Sequence, residues 1–80
     1  MSDSNMKKAY ESLRDQPSKR EIGILQAMAE GFTSREIAQQ LFISENTVEA
    51  HRKRLFIKFG ARNAANLIYK AIAKGYIKLE

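Results

Sequence analysis

Residues 33–60 read TSREIAQQLFISENTVEAHRKRLFIKFG, and this stretch decides the fold. Apolar side chains recur at helical spacing in both of its halves, which predicts helices over about 34–41 and 45–59. No glycine or proline ends the first of these helices, but Ser44 begins the second, so the break between them must lie near Phe42 and Ile43. Two helices joined by so short a turn, the second of them long and basic, indicate a helix-turn-helix.

Start and stop signals predict two more helices around this pair. Serine or threonine followed three residues later by glutamate forms a capping box at two starts, and single N-cap residues mark the other two. The four N-caps are Ser18, Thr33, Ser44 and Asn63. A first helix is predicted over about 19–30 and a fourth between Asn63 and Gly75. No segment alternates with period two, so the predicted fold class is all-α, a four-helix bundle containing the helix-turn-helix.

Length and charge favour one domain that binds a polyanion. The chain has 80 residues, enough for a single domain, and 14 basic against 9 acidic residues give a net charge of +5. The charges of residues 1–17 cancel, so the excess lies in residues 18–80. Four cations fall within seven residues there, namely Arg52, Lys53, Arg54 and Lys58. Such a cluster is typical of a nucleic-acid-binding domain, although a solvated helix face is an equal alternative on charge alone.

The domain organisation follows from this distribution. Residues 18–80 are expected to form the helix-turn-helix DNA-binding domain. Residues 1–17 are expected to be an N-terminal tail or linker, part of which, around Lys7–Leu13, is a candidate for a further helix.

Several other classes of protein are disfavoured. The chain has no cysteine and one histidine, whereas zinc sites normally need three or four clustered ligands, so no metal or other cofactor is expected. It lacks a cysteine nucleophile and a glycine-rich phosphate loop, which argues against an enzyme. No apolar run approaches the roughly 18–20 residues that span a bilayer, so a cytoplasmic protein without membrane contact is expected.

A series of residues at fixed spacing runs through most of the chain. It comprises Arg20, Glu21, Ala29, Glu30, Gly31, Glu36, Ile37, Ala38, Leu41, Ile43, Ser44, Thr47, Val48, His51, Leu55, Lys58 and Phe59. This series resembles the DNA-binding domain of the LuxR/FixJ family of bacterial transcriptional regulators, over about residues 18–78. The resemblance implies a four-helix domain that binds double-stranded DNA as a homodimer and, in many members, contacts RNA polymerase.

The resemblance also implies roles for individual residues. Its base-reading positions fall on Glu49, Ala50 and Lys53. Its phosphate-binding positions fall on Ser34, Arg35, Asn46, Thr47, His51 and Lys58. The neighbouring Arg52 and Arg54 are expected to add attraction to phosphates that does not depend on sequence. Its dimer contacts lie along the last helix, where Asn66, Tyr69, Lys70 and Ala73 are the candidates, all expected to be exposed.

The chemistry of these residue types agrees with most of the implied roles. Lys53 can donate to guanine O6 or N7, and the methyl group of Ala50 can meet a thymine methyl. Asn46 and Thr47 are short donors at a helix N-terminus, where phosphates bind readily. The alternative for His51 is a half-buried histidine bonded to a neighbouring carbonyl, and for Arg54 a side chain that points to solvent.

Glu49 is the main departure from the family, whose usual residue at this position is basic. A carboxylate there either accepts from cytosine N4 or lowers non-specific affinity by repelling phosphates. A second departure is the missing sensory domain that most members carry, for which residues 1–17 are too few. The chain is therefore expected to be either a single-domain regulator or the C-terminal domain of a longer one.

A different class of function remains as an alternative. The same bundle can serve as an interaction module that binds RNA polymerase or a partner regulator, with Phe56, Tyr69 and Tyr76 as its anchors. The basic cluster separates the two hypotheses, because such a module does not need it. Under the DNA-binding hypothesis, we expect the protein to be a monomer in dilute solution and a dimer on DNA.

Overall fold

The computed structural model describes residues 16–79, and within this range the chain forms four helices and no strand. The helices are α1 (Lys19–Ala29), α2 (Ser34–Leu41), α3 (Glu45–Phe59) and α4 (Ala64–Ala73). The all-α class and the four predicted helices are confirmed, with ends that differ by at most two residues. The candidate helix at Lys7–Leu13 lies outside the described residues.

The predicted N-caps account for the helix starts. In the first capping box, Ser18 Oγ accepts from the Glu21 N–H at 3.1 Å and Glu21 Oε1 accepts from the Ser18 N–H at 3.0 Å. Thr33 and Glu36 repeat this reciprocal pair at the start of α2. Each box satisfies backbone donors that have no partner within the helix, which fixes where the helix begins.

Helix α3 is the centre of the bundle and packs against each of the other three helices. Its buried stripe consists of Val48, Leu55 and Phe59. The rest of the core comes from the other helices and the C-terminal segment, through Ile24, Leu25, Ile37, Ala38, Leu67, Ala71 and Ile77. Because the core lies on one side of α3, the opposite side of this helix is left on the surface.

The turn between α2 and α3 has an unusual backbone. Phe42 ends α2 with φ 57° and ψ 42°, which is the left-handed conformation that Gly60 adopts with φ 59° at the end of α3. A side chain normally costs about 1 kcal/mol in this conformation, and glycine avoids that cost. The Phe42 side chain is 94% exposed and so recovers almost none of the cost by burial.

Replacing Phe42 by glycine is therefore expected to raise the free energy of unfolding by about 1 kcal/mol, measured by urea denaturation. Gly60→Ala is the matched inverse change, since an added Cβ there meets nothing closer than Lys70 Nζ at 4.0 Å. It should lower stability by a similar amount. Equal or lower stability of the Phe42→Gly protein would contradict the assignment of strain to this turn.

Candidate nucleic-acid interface

The exposed side of α3 brings together the predicted base-reading residues. Successive residues of a helix lie about 100° apart, so the side opposite the buried stripe carries Asn46, Ala50, Lys53 and Ile57, with Glu49 at its edge. All five are exposed, and we call them the recognition face. No hydrogen bond or ion pair within residues 16–79 engages the Lys53 side chain. Its ammonium group is therefore available to an external acceptor.

A second face of α3 lies against the start of α1, where it surrounds a buried carboxylate. The Glu21 side chain is only 3% exposed. Lys58 Nζ donates to Glu21 Oε1 at 2.7 Å, and His51 Nδ1 lies 3.4 Å from Glu21 Oε2. Arg54 Nη1 lies 4.0 Å from the same Oε2 atom. These four residues form the Glu21 cluster, which gathers three of the predicted phosphate-binding residues.

The neighbours of Glu21 keep it ionised. Burial by itself would raise the pKa of its carboxyl group. Hydrogen bonds from Lys58 Nζ, from the Ser18 N–H and from the His51 ring outweigh burial and hold that pKa below its ordinary value of 4.5. The cluster therefore holds a fixed negative charge that keeps the basic side chains of α3 close together.

The start of α2 meets α3 through a second polar contact. The Ser34 hydroxyl donates to Glu49 Oε1, and Arg52 Nη1 donates to Ser34 Oγ at 3.1 Å. Ser34 is buried, with 9% of its surface exposed, and Arg52 is half-buried. This contact, which we call the Ser34 bridge, joins the first turn of α2 to the edge of the recognition face.

The predicted dimer residues of α4 differ in exposure, and part of that prediction was wrong. Tyr69 is 70% exposed and Ala73 is exposed, as expected. Asn66 and Lys70 are half-buried instead. Lys70 Nζ donates to the carbonyl oxygens of Phe59 and Gly60, at 3.3 and 3.1 Å. The last carbonyls of α3 have no partner within their own helix, so a lysine nearby is drawn to them.

Asn66 has a similar structural engagement at the start of α4. Its Oδ1 atom accepts from the Arg62 N–H at 3.1 Å, while its own N–H donates to Asn63 Oδ1 at 2.8 Å. The side chain thus braces the loop before α4. Among the anchors considered for a protein-interaction module, Tyr69 is exposed, whereas Phe56 and Tyr76 are half-buried against the core.

Neither a metal site nor a membrane span is found in the part of the chain that the structure describes. No group of three or more His, Asp or Glu side chains among residues 16–79 is placed to hold a metal ion. None of the four helices is long and apolar enough to cross a membrane.

Comparison with known proteins gives this arrangement its family. The model of a family described as bacterial regulatory proteins, luxR family, matches residues 15–71. The chain belongs to this family. The luxR family is one of DNA-binding regulatory domains and not of enzymes, so α2 and α3 are the helix-turn-helix of a transcription regulator.

Relatives of this luxR-family domain are longer proteins. The oxygen regulatory protein NreC of Staphylococcus aureus strain JH9 is 42% identical over 57 residues, which cover 71% of this chain and 26% of NreC. NreC of strain JH1 matches equally well. The match therefore spans about a quarter of these relatives. Among solved structures, the crystal structure of the phage VqmA–DPO complex superposes with a TM-score of 0.72 at 30% identity, covering 99% of this chain and 38% of that one.

Within this luxR-family domain, the predicted phosphate-binding residues fall into three groups. Arg35, Asn46, Thr47 and Arg54 are exposed, His51, Arg52 and Lys58 are half-buried, and Ser34 is buried. Thr47 also has a structural role, since its N–H donates to Ser44 Oγ at 3.0 Å. The half-buried residues keep part of their surface exposed to solvent.

The environment of His51 matches in part the structural alternative that was considered for it. The ring is half-buried and bonded to a neighbour, but that neighbour is the Glu21 carboxylate and not a backbone carbonyl. A carboxylate only accepts hydrogen bonds, so His51 Nδ1, which faces it, is the donor in this contact. Nε2 can then donate to a phosphate oxygen only when the imidazole is fully protonated.

Two residues of the interface were missed in the sequence. Glu21 was placed in a capping box and in the family series but given no role in binding, and its contacts with α3 have no local signal. Ile57 is 72% exposed on the recognition face, seven residues after Ala50. The helical spacing between Ala50 and Ile57 could have predicted that Ile57 lies on the same face.

Proposed function

We propose that this domain binds specific DNA sequences as a homodimer, with α3 of each subunit in the major groove. The observation that carries the proposal is the recognition face, which presents Glu49, Ala50 and Lys53 on the exposed side of α3. The major groove is about 12 Å wide and admits an α-helix. The 15 residues of α3 give a rod roughly 22 Å long, enough to reach several base pairs.

The residues of the recognition face differ in the chemistry they offer to bases. Lys53 is a donor for guanine O6 or N7, and the methyl group of Ala50 suits the methyl group of thymine. Glu49 is an acceptor and suits the exocyclic amino group of cytosine. A donor, an acceptor and an apolar contact on neighbouring turns can distinguish base pairs that a uniformly basic helix cannot.

Phosphate contacts flank this face on both sides. Arg35 and Thr47 are exposed in the first turns of α2 and α3, where the helix dipole favours anions, and Asn46 is exposed at the N-terminal end of the recognition face itself. On the side of α3 that carries Thr47, the Glu21 cluster presents Arg54 with its side chain 58% exposed, together with His51 and Lys58. On the side facing α2, Arg52 donates to Ser34, the chain neighbour of Arg35, and adds a further positive charge there. These contacts position the domain, whereas the recognition face specifies the sequence.

The two subunits are expected to meet through α4, where Tyr69 and Ala73 are exposed. A two-fold axis through this contact places the recognition helices on half-sites about one helical turn apart, roughly 34 Å. The protein is expected to act in the cytoplasm, where bacterial DNA lies. Tyr69 also supports a second candidate function, the binding of RNA polymerase. An exposed tyrosine can pack against another protein as well as against a second subunit.

Fluorescence anisotropy with labelled genomic fragments tests the proposal. If a dimer neutralises six or more phosphates, affinity is expected to fall at least about 1,000-fold between 50 and 200 mM salt. Sedimentation should show two chains on each bound duplex. A chain that bound polymerase but showed no DNA affinity at any salt concentration would favour the second candidate function.

A further inference from the structure

The Ser34 bridge commits the only proton that the Ser34 hydroxyl can donate. A serine hydroxyl has one O–H donor and two acceptor lone pairs. In the structure the proton goes to Glu49 Oε1, while a lone pair accepts from Arg52 Nη1 at 3.1 Å. A phosphate has only acceptor oxygens, so Ser34 Oγ can bind one only after releasing Glu49.

The same bridge restricts the Glu49 side chain. An exposed glutamate on a helix surface normally samples several rotamers, and holding one costs entropy. Here Oε1 is tied to a hydroxyl that is itself buried and held by a guanidinium. No hydrogen bond among the described residues engages Oε2, which belongs to an exposed side chain at the edge of the recognition face. The bridge therefore fixes a carboxylate with one oxygen available on the DNA-facing side.

We propose that Ser34 is a positioning residue for base recognition, and that it holds Glu49 as a fixed acceptor for the exocyclic N4 amino group of a cytosine. The proposal rests on the proposed function and deepens it. It assigns Ser34 a role in specificity in place of a phosphate contact. It also gives the acidic residue in this basic helix a reading function in place of general repulsion.

The chemistry of the groove selects cytosine among the four bases. Amino donors in the major groove belong only to cytosine N4 and adenine N6. In adenine the N7 acceptor lies beside the amino group and would face the carboxylate. Guanine and thymine present acceptors at the corresponding edge and would repel it. A pre-positioned acceptor therefore favours cytosine, by about tenfold over the other bases at that position.

Selection from a random duplex library, followed by sequencing, tests the assignment with the wild type and four variants. Wild type is expected to show one cytosine-preferring position in each half-site, which Glu49→Ala abolishes. Ser34→Ala should weaken that preference to a few-fold at most and leave the other positions unchanged. Ser34→Thr, which keeps the hydroxyl, should restore it. Glu45→Gln removes the same charge one turn away on α3 and should leave every preference intact.

Binding titrations with the selected duplex separate the two roles of Ser34. For a positioning residue, Ser34→Ala has no further effect in a Glu49→Ala background. For a phosphate contact, Ser34→Ala weakens binding to all sequences equally, and it does so in the Glu49→Ala background as well. That second result, or a wild type with no cytosine preference, would overturn the inference while leaving the proposed function standing.

Loss of DNA binding by the wild type and unfolding of the Ser34→Ala protein are two further outcomes, each with its own meaning. Absence of DNA binding by the wild type would overturn the proposed function and the inference together. Circular dichroism controls for folding, and Thr33 still caps α2 in the Ser34→Ala protein. If the Ser34→Ala protein nevertheless unfolds, the other two variants test the inference. The Ser34→Thr protein must then show the cytosine preference, and the Glu49→Ala protein must lack it.

Discussion

Replacing Glu21 by glutamine is expected to lower the free energy of unfolding by about 3 kcal/mol at neutral pH. Removing one partner of a buried ion pair leaves the other charge without compensation, which typically costs about 3–5 kcal/mol. The lower end applies here, because the Lys58 and His51 side chains keep 19% and 18% exposure and can turn partly toward water. Urea denaturation followed by circular dichroism measures the loss.

Glu36→Gln is a matched control for this change. Glu36 occupies the same position in the second capping box, where it accepts from the Thr33 N–H at 2.8 Å. It is exposed and has no cation partner among the described residues. The two substitutions therefore alter the same local hydrogen bond, and only Glu21→Gln removes a charge from a cluster. Equal losses in the two proteins would assign the effect to capping and contradict the role of the cluster.

The pH dependence of stability provides a second check on the same substitution. The pKa of Glu21 is lower in the folded protein than its ordinary value of 4.5, so the unfolded chain binds the proton more readily. Its contribution to stability is therefore complete above about pH 4.5 and is lost as the pH falls through the lowered folded pKa. Wild type and Glu21→Gln are expected to differ at neutral pH and to converge in acid. A difference that persisted in acid would point to packing of the amide and not to charge.

The helices could be predicted from the sequence because their signals are local. A capping box joins residues three positions apart, and the glycines after α1, α3 and α4 adopt positive φ within one or two residues of the helix ends. Phe42 shows where such signals stop. No residue type marked the end of α2, so the break was placed only by elimination, and the strained backbone of Phe42 had no signature in the sequence.

The polar contacts of the interface could not be predicted, because they join residues far apart in the chain. Glu21 and Lys58 are 37 positions apart, and Ser34 and Glu49 are 15 apart. Family resemblance placed Ser34 and Lys58 at phosphate positions. The resemblance does not indicate which polar side chains form hydrogen bonds with one another when no DNA is bound. The packing of α3 against α1 and α2 determines these hydrogen bonds. It brings Lys58 into the Glu21 cluster and Ser34 into the Ser34 bridge.

The structure also separates two neighbouring cations of the basic cluster by their surroundings. Arg52 is half-buried and donates to Ser34, so reversing its charge would disturb the domain as well as any contact with DNA. Lys53 is exposed on the recognition face and has no ion pair within residues 16–79. A substitution at Lys53 therefore tests DNA recognition with little effect on folding.

Lys53→Glu is expected to weaken binding to the selected DNA site about 100-fold. Loss of a lysine contact to guanine accounts for about 1–3 kcal/mol, and the new carboxylate adds repulsion from guanine O6 and N7 and from nearby phosphates. Stability should change by less than about 0.5 kcal/mol, since the position is an exposed surface site. Anisotropy titrations with the selected duplex and with an unrelated duplex measure both the affinity and its dependence on sequence.

Lys78→Glu makes the same change of charge at a position outside the helix-turn-helix. The backbone of Lys78 bonds to Gln26 of α1, and its side chain is exposed on the C-terminal segment. Charges separated by more than about 10 Å are largely screened at 0.1 M salt, so this variant should bind nearly as tightly as the wild type. Equal weakening by the two substitutions would show that DNA responds to net charge alone. A large loss confined to Lys53→Glu requires that α3 enters the groove with its recognition face toward the bases.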